Sequence, residues 1–277
     1  MSLLQRVLFN VRDIVMQLFK IHTDLINPHQ DIINEIIQSL ESSQINIEDN
    51  DILAITSKIL ALSQGRIVKL EEMKPSEQAL KLSKKYNLDP EYVELIIQEA
   101  DEIYGGTDQA ICTIKGGLMI ANAGVDRKNV PLGYAVLSPA KPYKSAQDIR
   151  QKIYDIKGKF VGVIIVDSRV TPLRLGTVGV AFGFSGFSPV RDCRGFKDLY
   201  GKPLQITRHC QVDDLAGAAH LIMGEVDERV PAVLLRDAPI MISHDLNSQI
   251  NKDSVMVSPN RCLFINALKY EMENKAV

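Results

Sequence analysis

Three carboxylates stand out because each closes an apolar run and is flanked by turn-forming residues. Asp126 sits in Ala-Asn-Ala-Gly-Val-Asp-Arg-Lys-Asn (121–129), Asp167 follows Lys-Phe-Val-Gly-Val-Ile-Ile-Val (159–166) and precedes Ser168, and Glu225 follows Met223-Gly224. Carboxylates at such ends can hold a hard divalent cation, which takes a few oxygen ligands, waters and phosphate oxygens. The same positions also suit ordinary turns and helix caps, so residue type alone leaves both readings open. Arg169, Arg174, Arg191 and Arg194 bracket a glycine-rich stretch. Their guanidinium forks suit phosphate or carboxylate recognition, or else surface ion pairs. His209, Cys210 and His220 match no zinc spacing, and both histidines are read as structural. Neither GxxxxGK[ST] nor GxGxxG occurs, nor a GxSxG elbow, so nucleotide binding would need another arrangement.

The elements that must carry these residues follow from periodicity and turn chemistry. Asp31–Leu40 predicts a helix with Ile32, Ile33, Ile36, Ile37 and Leu40 inward, and Asp51–Thr56 a short strand. Ser76–Tyr86 and Pro90–Tyr104 read as helices, with Ser76 and Asp89 at N-caps and Pro90 at the first helical position. Ala110–Lys115 and Gly117–Ala121 read as a hairpin turning at Gly116-Gly117. Ser145–Ile156 is helical. Lys159–Val166 is a central strand, apolar on both faces. Thr177–Phe187 reads as a strand whose glycines let it pass close to other backbone, Asp213–Met223 as a helix, Pro231–Leu235 as a strand and Arg261–Glu273 as a terminal helix. Irregular alternation with hairpins in the middle predicts an α+β fold of mixed sheets and helices, built as two interleaved lobes.

Composition narrows the class. A net charge of −2 gives no broad pull toward nucleic acid or anionic membrane. Tryptophan is absent, which argues against a stacking platform for single strands. The four scattered cysteines, Cys112, Cys193, Cys210 and Cys262, form no CxxC pair and are read as mostly buried thiols of a reducing, cytoplasmic compartment. At the start, Leu4, Val7, Leu8, Val11, Ile14, Val15 and Leu18 form one stripe of an amphipathic helix over residues 1–21, interrupted by Arg6, Arg12, Asp13 and Lys20. That helix is expected to pack on the body or on a second subunit, with a membrane-surface helix as the alternative.

Five blocks resemble, in the same order, those of the coenzyme F420-0:L-glutamate ligases. They are 51–68 (DILAITSKILALSQGRIV), 121–130 (ANAGVDRKNV), 159–176 (KFVGVIIVDSRVTPLRLG), 191–207 (RDCRGFKDLYGKPLQIT) and 213–235 (DDLAGAAHLIMGEVDERVPAVLL). The resemblance implies a catalytic domain over 22–250 with the F420 ligase-like two-lobed α+β fold, followed by a helical segment over 251–277. It implies a homodimer with sites near the subunit interface, where GTP and two divalent ions (Mg²⁺ or Mn²⁺, with K⁺ a further candidate) meet. By position the metal ligands are Asp126, Asp167, Ser168 (for the family's Thr) and Glu225. The nucleotide contacts are Ser57, Lys58, Asn129, Met223, Gly224, Glu225 and Val226, within a Met223–Val230 stretch, and the four arginines are the candidates for substrate.

The implied chemistry activates the substrate carboxylate as an acyl phosphate with GTP. Glutamate's amine then attacks, and no covalent protein nucleophile is required. The chain departs from the family at Leu62, where a second lysine is common, at Gln64, where Glu is usual, and over Ser168-Arg169-Val170-Thr171. The family's nucleotide-contacting Leu-Pro block is not evident at Ile21–Pro28. These departures keep two other readings in play: the same GTP- or ATP-dependent ligation on a different carboxylate, and a non-catalytic nucleotide-binding protein. Against the latter, a cluster of carboxylates repels itself without a cation.

Overall fold

A computed structural model describes residues 15–248 and 252–267. In chain order the strands and helices are β1 Gln17–Ile21, α1 Ile32–Ser42, β2 Ile52–Thr56, α2 Ser57–Ser63, β3 Ile67–Lys69, α3 Glu77–Tyr86 and α4 Pro90–Glu99. There follow β4 Glu102–Thr107, β5 Ala110–Lys115, β6 Leu118–Ala121, β7 Tyr134–Val136, α5 Pro142–Lys157, β8 Gly162–Val170 and β9 Thr177–Ser185. The last are β10 Val190–Asp192, β11 Arg208–Cys210, α6 Gln211–Met223 and β12 Ala232–Arg236.

The main sheet has the order β1-β12-β2-β8-β9, with β2 and β8 parallel and the other pairs antiparallel. Alternate residues of its strands feed two cores. Leu53, Ile55, Val163, Ile165 and Leu234 pack under α1 and α5, while Ile52, Ala54, Ile164, Val166 and Val233 pack under α6. Both faces are covered, which explains the unbroken apolar run before Asp167. Close packing of α6 on β9 needs Gly179, where a Cβ would come within 2.4 Å of the Ala216 carbonyl oxygen. A second lobe is built from the β4-β5-β6 meander, α3 and α4 around its own core of Tyr86, Tyr92, Val93, Ile96, Ile111 and Val125. The chain enters this lobe after α2 and leaves it before α5, so the lobes interleave and the fold is α+β.

Four expectations are corrected. The stripe predicting a helix through Ile21 gives way at its end to β1, because Gln17–Ile21 pairs with all of β12. Leu18 and Phe19 therefore face opposite cores, a period of two. The first fourteen residues of that stripe lie outside the described residues. The helix predicted over Pro90–Tyr104 stops at Glu99, because Glu102–Thr107 pairs with β5. Asp167 lies within β8, not after it, because β9 keeps pairing as far as Val170. At the carboxyl end a 3₁₀ turn at Pro259–Arg261 precedes a helical stretch over 263–267, and 268–273 of the predicted helix lie outside the described residues. All four cysteines are free and half-buried, not buried as expected. No helix among the described residues is long and apolar enough to cross a membrane.

Candidate functional site

The parallel pairing of β2 with β8 ends at Thr56 opposite Val166, while β8 itself runs on to Val170. Ligands of open α/β sheets gather beyond the carboxyl ends of such strands. Here β2 runs directly into α2, which puts Ser57 and Lys58 at that edge. The Thr56 N–H donates to Pro231 O at 2.9 Å, bringing the segment between α6 and β12 to the same edge. Asp126 exchanges backbone bonds with Val136 (2.9 and 2.8 Å), which carries the second lobe's loop across. A register shift of β8 against β9 falls between Ile165 and Val166, just before Asp167. Such bulges re-aim the side chains that follow.

These segments enclose a cavity of about 670 Å³. Its lining includes the acids Asp126, Asp167 and Glu225 with Ser168, and the apolar Leu25, Ile26, Pro28, Ile59, Leu62 and Val130. Ser57, Lys58, Asn129, Met223, Gly224 and Val226 also line it, so all the residues assigned to metal and nucleotide border one cavity. The four arginines do not. Arg169 turns to Asp213 at 3.8 Å, Arg174 is exposed, Arg191 lies over the Phe196 ring and Arg194 pairs with Asp192. The segment Thr23–Pro28, in which no nucleotide motif is evident, forms part of the cavity wall. Leu62 does so too, whereas Gln64 faces away and ties α2 to Ser145 (2.9 Å) and Ala140 (3.1 Å).

The carboxylates are held in different electrostatic states. Burial pushes Asp167 up to about 6; bonds from Ser57 and the Ser168 N–H (2.7 Å) oppose this, and the nearby Asp126 charge adds to it. Asp126 pairs with Lys58 at 2.7 Å. Burial also pushes Glu225 up, but bonds from Thr177 (2.6 Å), Lys128 (3.0 Å) and His220 (2.9 Å) outweigh it and bring the group down to about 2. His220, read from sequence as structural, thus positions a cavity carboxylate. Its separation of five residues from Glu225, across a helix end, carries no recognisable motif.

The donor set fits a hard divalent cation. It offers carboxylate and hydroxyl oxygens only, and Asp167 is a half-buried carboxylate whose partly desolvated charge a cation would favour. The ligands are not preformed. Among the described residues no three His, Cys, Asp or Glu side chains converge on one point, and Lys58 and Lys128 hold Asp126 and Glu225 instead.

The chain thus combines a mixed α+β fold with a cavity lined by both oxygen donors and apolar side chains. A model of the F420-0:Gamma-glutamyl ligase family matches residues 20–237. The coenzyme F420:L-glutamate ligase of Methanopyrus kandleri is 41% identical over 212 residues, covering 76% of this chain and 82% of that protein. The enzyme of the same name from Methanothermobacter thermautotrophicus is 40% identical over 216 residues, 78% and 86% of the two chains. That of Archaeoglobus fulgidus is 38% identical over 200 residues, 72% and 80%. The chain belongs to the F420-0:gamma-glutamyl ligase family, a family of ligases that form amide bonds.

Proposed function

We propose that this protein is a GTP- and divalent-metal-dependent ligase that joins L-glutamate to the carboxylate of coenzyme F420-0 or a related phosphorylated small acid. The observation that carries this reading is that Asp126, Asp167, Ser168 and Glu225 line the same cavity as Ser57, Lys58 and Asn129. The acceptor carboxylate attacks the γ-phosphorus of GTP, GDP leaves, and an acyl phosphate forms. Glutamate's amine attacks the acyl carbon, inorganic phosphate leaves with the electron pair of the C–O bond, and the amine's proton passes to solvent. Both steps crowd anions together, so charge neutralisation is the enzyme's main task.

Two divalent ions, Mg²⁺ or Mn²⁺, with K⁺ a further candidate, would be held by Asp126, Asp167, Ser168 and Glu225 and would screen the phosphate charge. Lys58 contributes a fixed positive charge beside Asp126. Asn129, whose amide donates to Val226 O at 2.8 Å, holds the two nucleotide segments together. The apolar lining suits the flat face of a base. His220 and Thr177 orient Glu225.

The protein is proposed to work as a cytoplasmic homodimer. Support comes from Leu173, Leu175, Leu199, Tyr200 and Ile206, all largely exposed on segments following β8 and β10. Ligation of a different carboxylate is the second reading, favoured by the placing of the four candidate arginines outside the cavity wall. Acceptor labelled with ¹⁸O in its carboxylate tests the chemistry. The acyl phosphate route delivers one label to inorganic phosphate, and unlabelled phosphate formed alongside amide product would exclude it.

A further inference from the structure

Lys128 is bonded to two of the three cavity carboxylates, Asp126 and Glu225. Its backbone N–H donates to Asp126 Oδ1 at 2.8 Å, its carbonyl accepts from Lys58 Nζ at 3.0 Å, and its own Nζ donates to Glu225 Oε2 at 3.0 Å. One residue thereby joins the acid carried by the second lobe's loop to the acid that follows α6. The charges of Asp126 and Asp167 act on the same ammonium.

Its loop is fixed from both sides. On the outer side the Arg127 guanidinium lies 4.3 Å from the centre of the Tyr92 ring and pairs with Asp89, while Tyr92 Oη donates to Val125 O at 2.6 Å. On the inner side Asn129 holds Val226 O at 2.8 Å. The ammonium is therefore delivered to the acids by an anchored tether, and a tethered group acts at high effective concentration.

A bare divalent ion arriving at Glu225 must displace this ammonium and leave it beside a second, stronger positive charge. An ion arriving with a polyphosphate brings oxygens that the released ammonium can meet. We propose that Lys128 is a tethered counter-cation that competes with free divalent metal and so makes the site take metal together with its nucleotide. The proposal rests on the metal and nucleotide reading given above. By linkage, any gain in metal affinity from nucleotide is matched by an equal gain in nucleotide affinity from metal.

The test is Mn²⁺ binding, followed by calorimetry and by electron paramagnetic resonance, with and without a non-hydrolysable GTP analogue. Wild type should bind bare Mn²⁺ weakly and gain affinity with the analogue. Lys128→Met should bind bare Mn²⁺ about tenfold more tightly and lose most of the nucleotide-dependent gain. Lys128→Arg should behave as wild type, and Lys144→Met, a surface lysine paired with Asp148, should change nothing. Unchanged or weaker binding of bare Mn²⁺ by folded Lys128→Met overturns the proposal alone. Mn²⁺ binding that Asp167→Asn leaves intact overturns the metal reading itself, and this proposal with it.

Discussion

Replacing Asp167 by asparagine is expected to stabilise the chelator-treated protein at pH 8 and, on the proposed metal reading, to abolish metal binding. The carboxyl titrates near 3.8 when free and near 6 in the fold, where burial disfavours its charge. An acid whose folded pKa is raised gives its full stability below the unfolded value and loses it as pH rises through the folded one. Two pH units correspond to about 3 kcal/mol at most, and water entering the cavity reduces this to about 2 kcal/mol. Asparagine keeps an oxygen for the Ser57 and Ser168 donors and removes the charge. Urea denaturation at pH 4 to 8 reads the difference. Wild type should lose about 2 kcal/mol relative to Asp167→Asn between pH 4 and pH 7, with the two converging in acid. An asparagine variant that is less stable than wild type at pH 8 without metal would refute the burial argument.

Glu225 carries the opposite sign. Its folded pKa is depressed, so its contribution is present above 4.5 and lost as pH falls through about 2. Allowing for its partial exposure, Glu225→Gln should cost about 1 kcal/mol at pH 7, and the acid-unfolding curves of the two proteins should converge below pH 3. Arg150 is fully buried and donates to the carbonyls of Val161 (3.0 Å), Asp245 (3.1 Å) and Ser243. Arg150→Leu leaves three acceptors unpaired and should cost about 3–5 kcal/mol by urea denaturation, with residues 242–248 becoming sensitive to protease. Gly224 has φ +76°, and a Cβ there would come within 2.1 Å of the Glu228 carboxyl, which accepts from the Val226 N–H at 2.9 Å. Gly224→Ala should cost about 1–2 kcal/mol and weaken GTP binding measured by calorimetry, because it opens the turn that sets Glu225 and Val226.

Much of the candidate site is legible in the chain because its residues, Asp167 within β8 excepted, sit at element ends marked by turn chemistry. Asp126 lies beyond the Asn-Ala-Gly turn, Glu225 beyond the glycine that stops α6, and Ser57-Lys58 where β2 turns into α2. What sequence misses is what tertiary pairing decides. Residues 17–21 carry a helical stripe but form the sheet's edge, because β12 supplies their backbone partners. Thr177, Lys128 and His220 converge on Glu225 from β9, the second lobe's loop and α6, and no local pattern announces such a meeting. The arginines show the converse. They are dense in sequence, yet Asp192, Asp213 and Phe196 draw three of them away from the cavity.

The most direct test is the reaction itself. Purified protein is incubated with F420-0, glutamate, GTP and Mg²⁺ or Mn²⁺, and the acceptor is followed by mass spectrometry beside Asp126→Asn. The account predicts a glutamyl mass increment that requires GTP and metal and is lost in the variant. An increment formed without nucleotide, or retained in full by Asp126→Asn, would contradict it.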